Sequence, residues 1–160
     1  MDMNKASKIK AIAIAVGIPL LVGGGAALLS KDGFADFERL YQPLFTPPGW
    51  VFPVAWTLLY ILMGLASYRV YASDASAPRK RRALRVYGVQ LFFNFLWPIL
   101  FFGWGMLLAA LIELALLWLL VLLCQVLFSH ISAAAGKLMI PYLIWTGFAF
   151  YLNLGIVLLN

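Results

Sequence analysis

Amide and aromatic side chains recur at helical spacing in three apolar stretches of the chain. Residues three, four or seven apart share one face of an α-helix. The three faces are Pro53, Trp56, Tyr60, Met63 and Ser67; Gln90, Asn94, Trp97 and Phe101; and Pro141, Trp145, Ala149 and Asn153. Aromatic surfaces with a few amides can hold a flat apolar molecule by stacking and hydrogen bonds. The pattern predicts a binding site, and it offers neither paired carboxylates nor a nucleophile beside a base.

These stretches belong to a chain that is too apolar to be a water-soluble protein. Of its 160 residues, 64% are hydrophobic and 11% are charged, and its mean hydropathy is +0.95. No soluble domain of this length can bury such an excess around one core. A helix of roughly 20 apolar residues crosses the hydrocarbon layer, and five stretches qualify: 9–29, 51–71, 83–103, 106–128 and 138–159. We expect an all-α integral membrane protein, one domain over residues 1–160 built as a five-transmembrane-helix bundle.

The basic residues are distributed very unevenly between the two ends of this bundle. Ten fall on the side of the N-terminus: Lys5, Lys8, Lys10, Arg69, Arg79, Lys80, Arg81, Arg82, Arg85 and Lys137. Only Lys31 and Arg39 fall on the other side. Excess positive charge marks the cytoplasmic side, so we expect the N-terminus in the cytoplasm and the C-terminus outside. The basic inner loop, 72–82, then serves topology and contact with anionic lipid, and we expect no nucleic-acid partner.

The outer loop, residues 30–50, is predicted to cover the outer ends of the helices as a lid. Pro43, Pro47 and Pro48 restrict its path, and Phe45 keeps it apolar. Trp56, Asn94, Trp97 and Asn153 lie five to nine residues beneath the outer helix ends, or about 8–14 Å at the helical rise. An amide facing lipid is costly, so Gln90, Asn94 and Asn153 should point into the bundle. A simpler interpretation is that the amides join the helices and the aromatic rings fill the core.

Two single residues, Glu113 and His130, are candidates for a function of their own. Glu113 is the only acid inside an apolar stretch and has no basic partner in any helix, so either a function or a protonated packing residue is possible. His130, the only histidine, falls in an inner loop, away from the predicted site. Iron in haem is usually held by His, Cys, Met or Tyr, and because Met63 or Tyr60 could approach it there, haem stays open as a ligand. No metal site is predicted.

At these residues the chain resembles the translocator protein family (TspO/MBR), also known as the peripheral-type benzodiazepine receptors and, in bacteria, as tryptophan-rich sensory proteins. The resemblance covers nearly the whole chain. Its motifs are PLFTPPGWVFP at 43–53, WTLLYILMG at 56–64, QLFFNFLW at 90–97 and PYLIW at 141–145, followed by Leu152 and Asn153. Leu44 and Phe45 stand where similar bacterial proteins have tryptophan, and the tyrosine-plus-basic motif for cholesterol is absent from residues 154–160.

The resemblance implies a five-helix bundle, frequently a homodimer in a bacterial cell membrane, with a pocket for porphyrins and benzodiazepine-type ligands. It assigns the pocket to Trp56, Trp145, Asn94, Trp97 and Ala149. Together with the stripes, this gives a predicted ligand-binding set of Trp56, Tyr60, Asn94, Trp97, Trp145, Ala149 and Asn153, with Phe45, Pro47 and Pro48 in the lid.

Four functions fit these residues. The leading hypothesis is a membrane receptor that binds a porphyrin, most simply metal-free protoporphyrin, as ligand and not as cofactor, and that acts in tetrapyrrole sensing, trafficking or disposal. The second, an enzymatic function, is light-dependent oxidative breakdown of the bound porphyrin, with Trp56 and Trp145 as electron donors or oxidation targets. The third is passive carriage of porphyrin or another hydrophobe, and the fourth is structural support of other membrane proteins.

Overall fold

The computed structural model of the chain describes residues 4–160 and is helical almost throughout. The helices are α1 (Lys5–Ser30), α2 (Phe34–Phe37), α3 (Val51–Tyr71), α4 (Ala77–Pro98), α5 (Leu107–Ile131) and α6 (Ala133–Leu159). A 3₁₀ turn, Lys31–Gly33, joins α1 to α2, and a π-helical turn, Ile99–Gly103, extends α4. Within the described residues, every helix except the four-residue α2 is long and apolar enough to cross a membrane. The predicted all-α bundle of five transmembrane helices is confirmed.

The five long helices form a closed ring in the order α1, α3, α6, α5 and α4, each packed against its two neighbours. The ring has two ends. The basic end holds the start of α1 and the linkers at 72–76 and 132, and the loop end holds residues 31–50 and 104–106. Gly64 of α3 faces the backbone of α1, where a Cβ atom would come within 2.7 Å of the Ala15 carbonyl oxygen. Small residues at such points let two helix backbones approach closely in lipid.

Helix boundaries at the basic end differ from those that hydropathy predicts. α4 begins at Ala77 and not at residue 83, so the basic run lies in its first turns, where Pro78 suits the start of a helix. α6 begins at Ala133 and not at residue 138, because the Ser132 hydroxyl accepts a hydrogen bond from the Ala135 amide (3.3 Å). The linker between α3 and α4 is therefore only residues 72–76, and His130 lies in the last turn of α5.

The loop that follows α1, residues 31–50, is tied to the last helix. The Asn160 amide oxygen accepts from the Tyr41 backbone N–H (3.0 Å), and its amide nitrogen donates to the Tyr41 carbonyl (3.1 Å). The Tyr151 hydroxyl donates to the Leu44 carbonyl (2.9 Å). Residues 31–37 are helical, so the irregular path that the prolines predict covers only the later part of the loop.

The end of α4 changes its hydrogen-bond pattern after Pro98. Proline has no N–H to continue the α-helical ladder, and residues 99–103 follow as a π-helical turn in which the Trp104 amide donates to the Ile99 carbonyl (2.9 Å). Such wider turns occur frequently at functional sites. Here the turn carries Phe101 and Phe102 to the aromatic cluster at the loop end.

Candidate ligand-binding site

A cavity of about 360 Å³ lies between α1, α3 and α4 at the loop end. Its aromatic wall comes from α3 and α4, and small residues of α1 form the opposite wall. The residues around it are Gly23, Ala27, Ser30, Phe34, Gly49, Phe52, Pro53, Trp56, Tyr60, Asn94, Trp97, Pro98 and Phe102. The volume lies at the low end of the range for small-molecule sites.

A second, much smaller cavity of about 20 Å³ lies on the other side of the same aromatic wall, toward α2 and α6. Both cavities are lined by Phe52, Trp56, Trp97 and Phe102. The second cavity is completed by Phe37, Phe101, Trp145, Phe148, Ala149, Leu152, Asn153 and Ile156. One aromatic partition therefore separates two spaces.

The structure brings together all seven helix residues that the sequence predicts for the site. Tyr60 and Asn94 line the larger cavity alone. The three residues of α6, Trp145, Ala149 and Asn153, line the smaller cavity alone. Trp56 and Trp97 line both, so the partition between the cavities is built from the two tryptophans of the predicted stripes on α3 and α4.

Neighbouring aromatic rings pack against each other along the partition. The ring centroids of Trp56 and Tyr60 are 5.7 Å apart with an interplanar angle of 28°. Those of Trp56 and Trp97 are 6.3 Å apart, and Trp97 in turn stacks on Phe101 at 5.3 Å and 20°. Aromatic pairs at such separations attract each other beyond their simple burial. The rings therefore restrain each other's orientation, and Trp56 and Trp97 line both cavities.

A chain of hydrogen bonds fixes this stack from below. The Tyr60 hydroxyl donates to Asn94 Oδ1, Asn94 Nδ2 donates to the Tyr142 hydroxyl, and Tyr142 donates to Gln90 Oε1, each at 2.8 Å. The chain connects α3, α4 and α6. Gln90 and Asn94 are almost completely buried, as predicted. Both polar atoms of Asn94 are occupied within the protein, so the amide positions the wall.

Asn153 makes a similar connection nearer the loop end. Its Oδ1 accepts from the indole N–H of Trp97 (3.2 Å), and its Nδ2 donates to the Leu107 carbonyl (3.1 Å). This buried amide thereby joins α4, α5 and α6 and sets the orientation of the Trp97 ring. These bonds support the interpretation of the amides as interhelical connections, and the assignment of these residues to a ligand site stays a prediction.

Tyr142 is the site-supporting residue that the sequence stripes miss. It is fully buried and its hydroxyl is the centre of the hydrogen-bond chain. It lies seven residues before Ala149 and eleven before Asn153, so it shares their helix face. A search for tyrosine as well as amide residues along that face would have found it.

Replacing Tyr142 with phenylalanine is expected to lower the free energy of unfolding by about 1–2 kcal/mol, because Asn94 Nδ2 and Gln90 Oε1 both lose their hydrogen-bond partner. A change of that size lowers the midpoint of thermal unfolding by a few degrees, measurable on the detergent-solubilised protein. Tyr71→Phe, the same change at an exposed position of α3, serves as the control. Equal midpoints for the two variants would contradict a structural role of the chain.

The predicted lid residues do not line either cavity. Phe45 is 85% exposed, and neither Pro47 nor Pro48 belongs to a cavity wall. The reason is the attachment of the loop to α6, which places the turn at Phe45 on the outside of the bundle. Phe34 and Phe37 of the short α2 contribute to the walls instead. Their spacing of three residues, on one helix face, is the sequence signal for this cover.

Few hydrogen-bonding groups remain for a ligand. The indole nitrogen of Trp145 is buried and has no partner among residues 4–160. Its ring packs edge-on against Phe52, with centroids 6.1 Å apart. An unpaired buried N–H is costly, which makes it the best-placed donor for a ligand that enters the smaller cavity.

The residues considered for metal or proton chemistry lie elsewhere. Met63 is fully buried and lines neither cavity, and His130 lies at the opposite, basic end. Glu113 is 6% exposed, and neither of its carboxyl oxygens has a hydrogen-bond partner in the described part of the chain. Among residues 4–160, no cluster of three or more His, Cys, Asp or Glu side chains is arranged to hold a metal ion.

Comparison with known proteins places the chain in a family. The model of the TspO/MBR family matches residues 15–159. The tryptophan-rich protein TspO of Chlorobaculum tepidum is 35% identical over 159 residues, covering 99% of both chains. The tryptophan-rich sensory protein of Cereibacter sphaeroides is 40% identical over 91% of this chain and 87% of its own. The translocator protein of Bos taurus is 34% identical over 87% of this chain and 85% of its own. The chain is therefore a member of the TspO/MBR family of membrane proteins.

Proposed function

We propose that the protein binds a porphyrin of the protoporphyrin type, or a flat apolar molecule of similar shape, at the loop end of the bundle. Membership of a family that includes sensory and translocator proteins supports a role in sensing, trafficking or disposal of that ligand. The observation that carries the proposal is the shared aromatic partition between two cavities. It offers stacking surface on both faces and almost no free polar group.

The shape of the larger cavity suits a flat ligand. Trp56 and Trp97 form one wall, and Gly23 and Ala27 of α1 line the other. A macrocycle placed between these walls would replace contacts with lipid by contacts with aromatic rings on one face. It would pack against the α1 backbone on its other face. A ligand larger than the cavity of about 360 Å³ would have to move the partition toward the smaller cavity.

Charged edges of the ligand would remain near the water at the loop end. Burying a carboxylate without a partner is very costly, and among residues 4–160 no basic side chain lines either cavity. The outer rim of the larger cavity, at Ser30, Phe34 and Gly49, faces the turn and loop that follow α1. The propionates of a protoporphyrin would project there while the ring system stays below.

Titration of the purified, detergent-solubilised protein with protoporphyrin tests the proposal. We expect saturable binding in the micromolar range, seen as quenching of tryptophan fluorescence and a shift of the Soret band, because stacking on Trp56 and Trp97 couples both signals to one site. A benzodiazepine-type ligand should compete. Unsaturable quenching that no ligand displaces would mean that the porphyrin only partitions into the micelle.

A second candidate, light-dependent oxidative breakdown of the bound porphyrin, is supported by the close approach of indoles to the cavities. Trp56 lines both cavities and Trp145 lines the smaller one. The excited ligand and dissolved dioxygen would supply the reactivity, with the tryptophans as electron donors. Loss of the Soret band in light and oxygen should be slower in the double variant Trp56→Phe, Trp145→Phe. Equal bleaching without protein would exclude this function.

A further inference from the structure

A separate cavity of about 830 Å³ opens at the basic end, opposite the candidate site. Every one of the five long helices, or the linker next to it, contributes to the walls. The cavity shares no residue with the two aromatic cavities. Its cationic side chains are Lys8 of α1, Arg69 of α3 and Arg79 of α4.

The positive charge around this cavity is not neutralised within the described part of the chain. Over residues 4–160, ion pairing is limited to Arg39 with Asp36 at the loop end. Asp74 also lines the basic cavity, but it pairs with none of the three cations at ion-pair distance. Three cations and one carboxylate leave an excess of positive charge, which favours binding of an anion.

Hydrogen bonds hold the rim of the cavity in place. A guanidinium nitrogen of Arg79 donates to the His130 backbone carbonyl (3.0 Å), which joins the start of α4 to the end of α5. Lys80 donates to the carbonyls of Tyr71 (3.1 Å) and Ser73 (3.0 Å) and so fixes the linker after α3. The remaining N–H groups of Arg79 can still receive an anion, for which guanidinium is well suited.

The deeper wall of the same cavity is apolar. Ile12 lies four residues from Lys8 and Leu65 four residues from Arg69, so each pair shares one helix face with the cation toward the bundle end. Leu138 of α6 continues this wall. The cavity therefore places cations toward the basic end of the bundle and aliphatic side chains about one turn deeper.

We infer that this cavity binds an anionic phospholipid of the leaflet at the basic end. Its phosphate lies among Lys8, Arg69 and Arg79, and an acyl chain packs on Ile12, Leu65 and Leu138. The combination of cations with an aliphatic wall fits this ligand better than it fits a free phosphate, which has no use for the wall. A lipid held there connects α1, α3 and α4 and stabilises the ring of helices.

Thermal unfolding in detergent, with and without added lipid, tests the inference on the full chain. We expect phosphatidylglycerol to raise the unfolding midpoint of the wild type by several degrees and phosphatidylcholine to leave it unchanged. In the triple variant Lys8→Gln, Arg69→Gln, Arg79→Gln, the apparent Kd for phosphatidylglycerol should rise by about fivefold for each cation removed. The matched control, Arg81→Gln, Arg82→Gln, Arg85→Gln, removes the same charge outside the cavity.

Three outcomes would overturn the inference. Equal stabilisation of the wild type by the two lipids would remove the preference for an anionic headgroup, and this result needs no variant. Equal weakening of phosphatidylglycerol binding in the control variant would show that binding depends only on the overall charge of the protein. Displacement of phosphatidylglycerol by millimolar inorganic phosphate or glycerol phosphate would assign the cavity to a free phosphate. Porphyrin binding enters none of these measurements, so the lipid site stands or fails independently of the proposed function.

Discussion

Replacing Trp56 with alanine is expected to weaken protoporphyrin binding by about 2 kcal/mol, or about thirtyfold in Kd. Trp56 lines both cavities and contacts three other aromatic rings, those of Tyr60, Trp97 and Tyr142. Its removal takes away the stacking face and lets the remaining rings lose their orientation. The measurement is a fluorescence and Soret titration of the detergent-solubilised variant beside the wild type.

Trp50→Ala is the matched control for this experiment, because Trp50 lies six residues away, is 69% exposed and lines neither cavity. It removes one indole from the fluorescence signal without changing the partition. Trp56→Phe should lie between the two, since it keeps a stacking ring of smaller area. The same Kd for the two alanine variants would place the binding site away from the partition.

The sequence predicts for a physical reason which residues of the partition point into the bundle. Lipid on the outside leaves polar side chains only one stable direction, into the bundle. The spacing of Gln90 and Asn94 therefore fixes which face of α4 is internal, and Trp97 follows on the same face. Trp56 and Asn153 are placed by the same reasoning on α3 and α6. Hydropathy and periodicity are sufficient for this because the membrane removes every competing orientation.

The position of the predicted lid and the first residues of the helices depend on contacts that the periodicity of the sequence does not reveal. Phe45 is turned away from the cavities because Tyr151 and Asn160 of α6 hold the neighbouring loop residues, more than a hundred positions along the chain. The early start of α6 depends on one hydroxyl, that of Ser132. Such contacts join residues that are far apart in the sequence, or depend on a single side chain. The prolines alone could therefore not predict where the loop would lie.

The use of the amides has a consequence for how the site works. Tyr60, Asn94, Tyr142 and Gln90 hydrogen-bond to each other in a chain that holds the rings. The amide nitrogen of Gln90 is buried without a partner in the described residues, but Gln90 lines neither cavity. Ligand affinity must then come chiefly from aromatic contact and shape, with the Trp145 indole as the one buried donor of the cavity walls left without a partner in the described residues. A site built in this way should bind flat ligands that differ in the arrangement of their polar groups. It should distinguish between ligands mainly by the shape of their ring system.

Replacing Gly23 with leucine is expected to abolish porphyrin binding and to lower the free energy of unfolding by about 1–3 kcal/mol. Gly23 lines the larger cavity, and a Cβ atom there would overlap the ring of Tyr60. The added side chain must displace that ring, which breaks the hydrogen bond from Tyr60 to Asn94, and it also occupies the space opposite the partition. Porphyrin titration and thermal unfolding measure the two effects separately.

Gly24→Leu is the control, since the next residue of α1 has open space at its Cβ position and is exposed. It adds the same side-chain volume and the same gain in helix propensity, but the added side chain points away from the cavity. Unchanged binding in Gly23→Leu would show that the larger cavity is not the site, whatever happens to stability. Loss of binding in both variants would instead mean that the outer face of α1 is needed, as it would be if two copies of the chain met there. Only loss confined to Gly23→Leu locates the ligand between α1 and the aromatic partition.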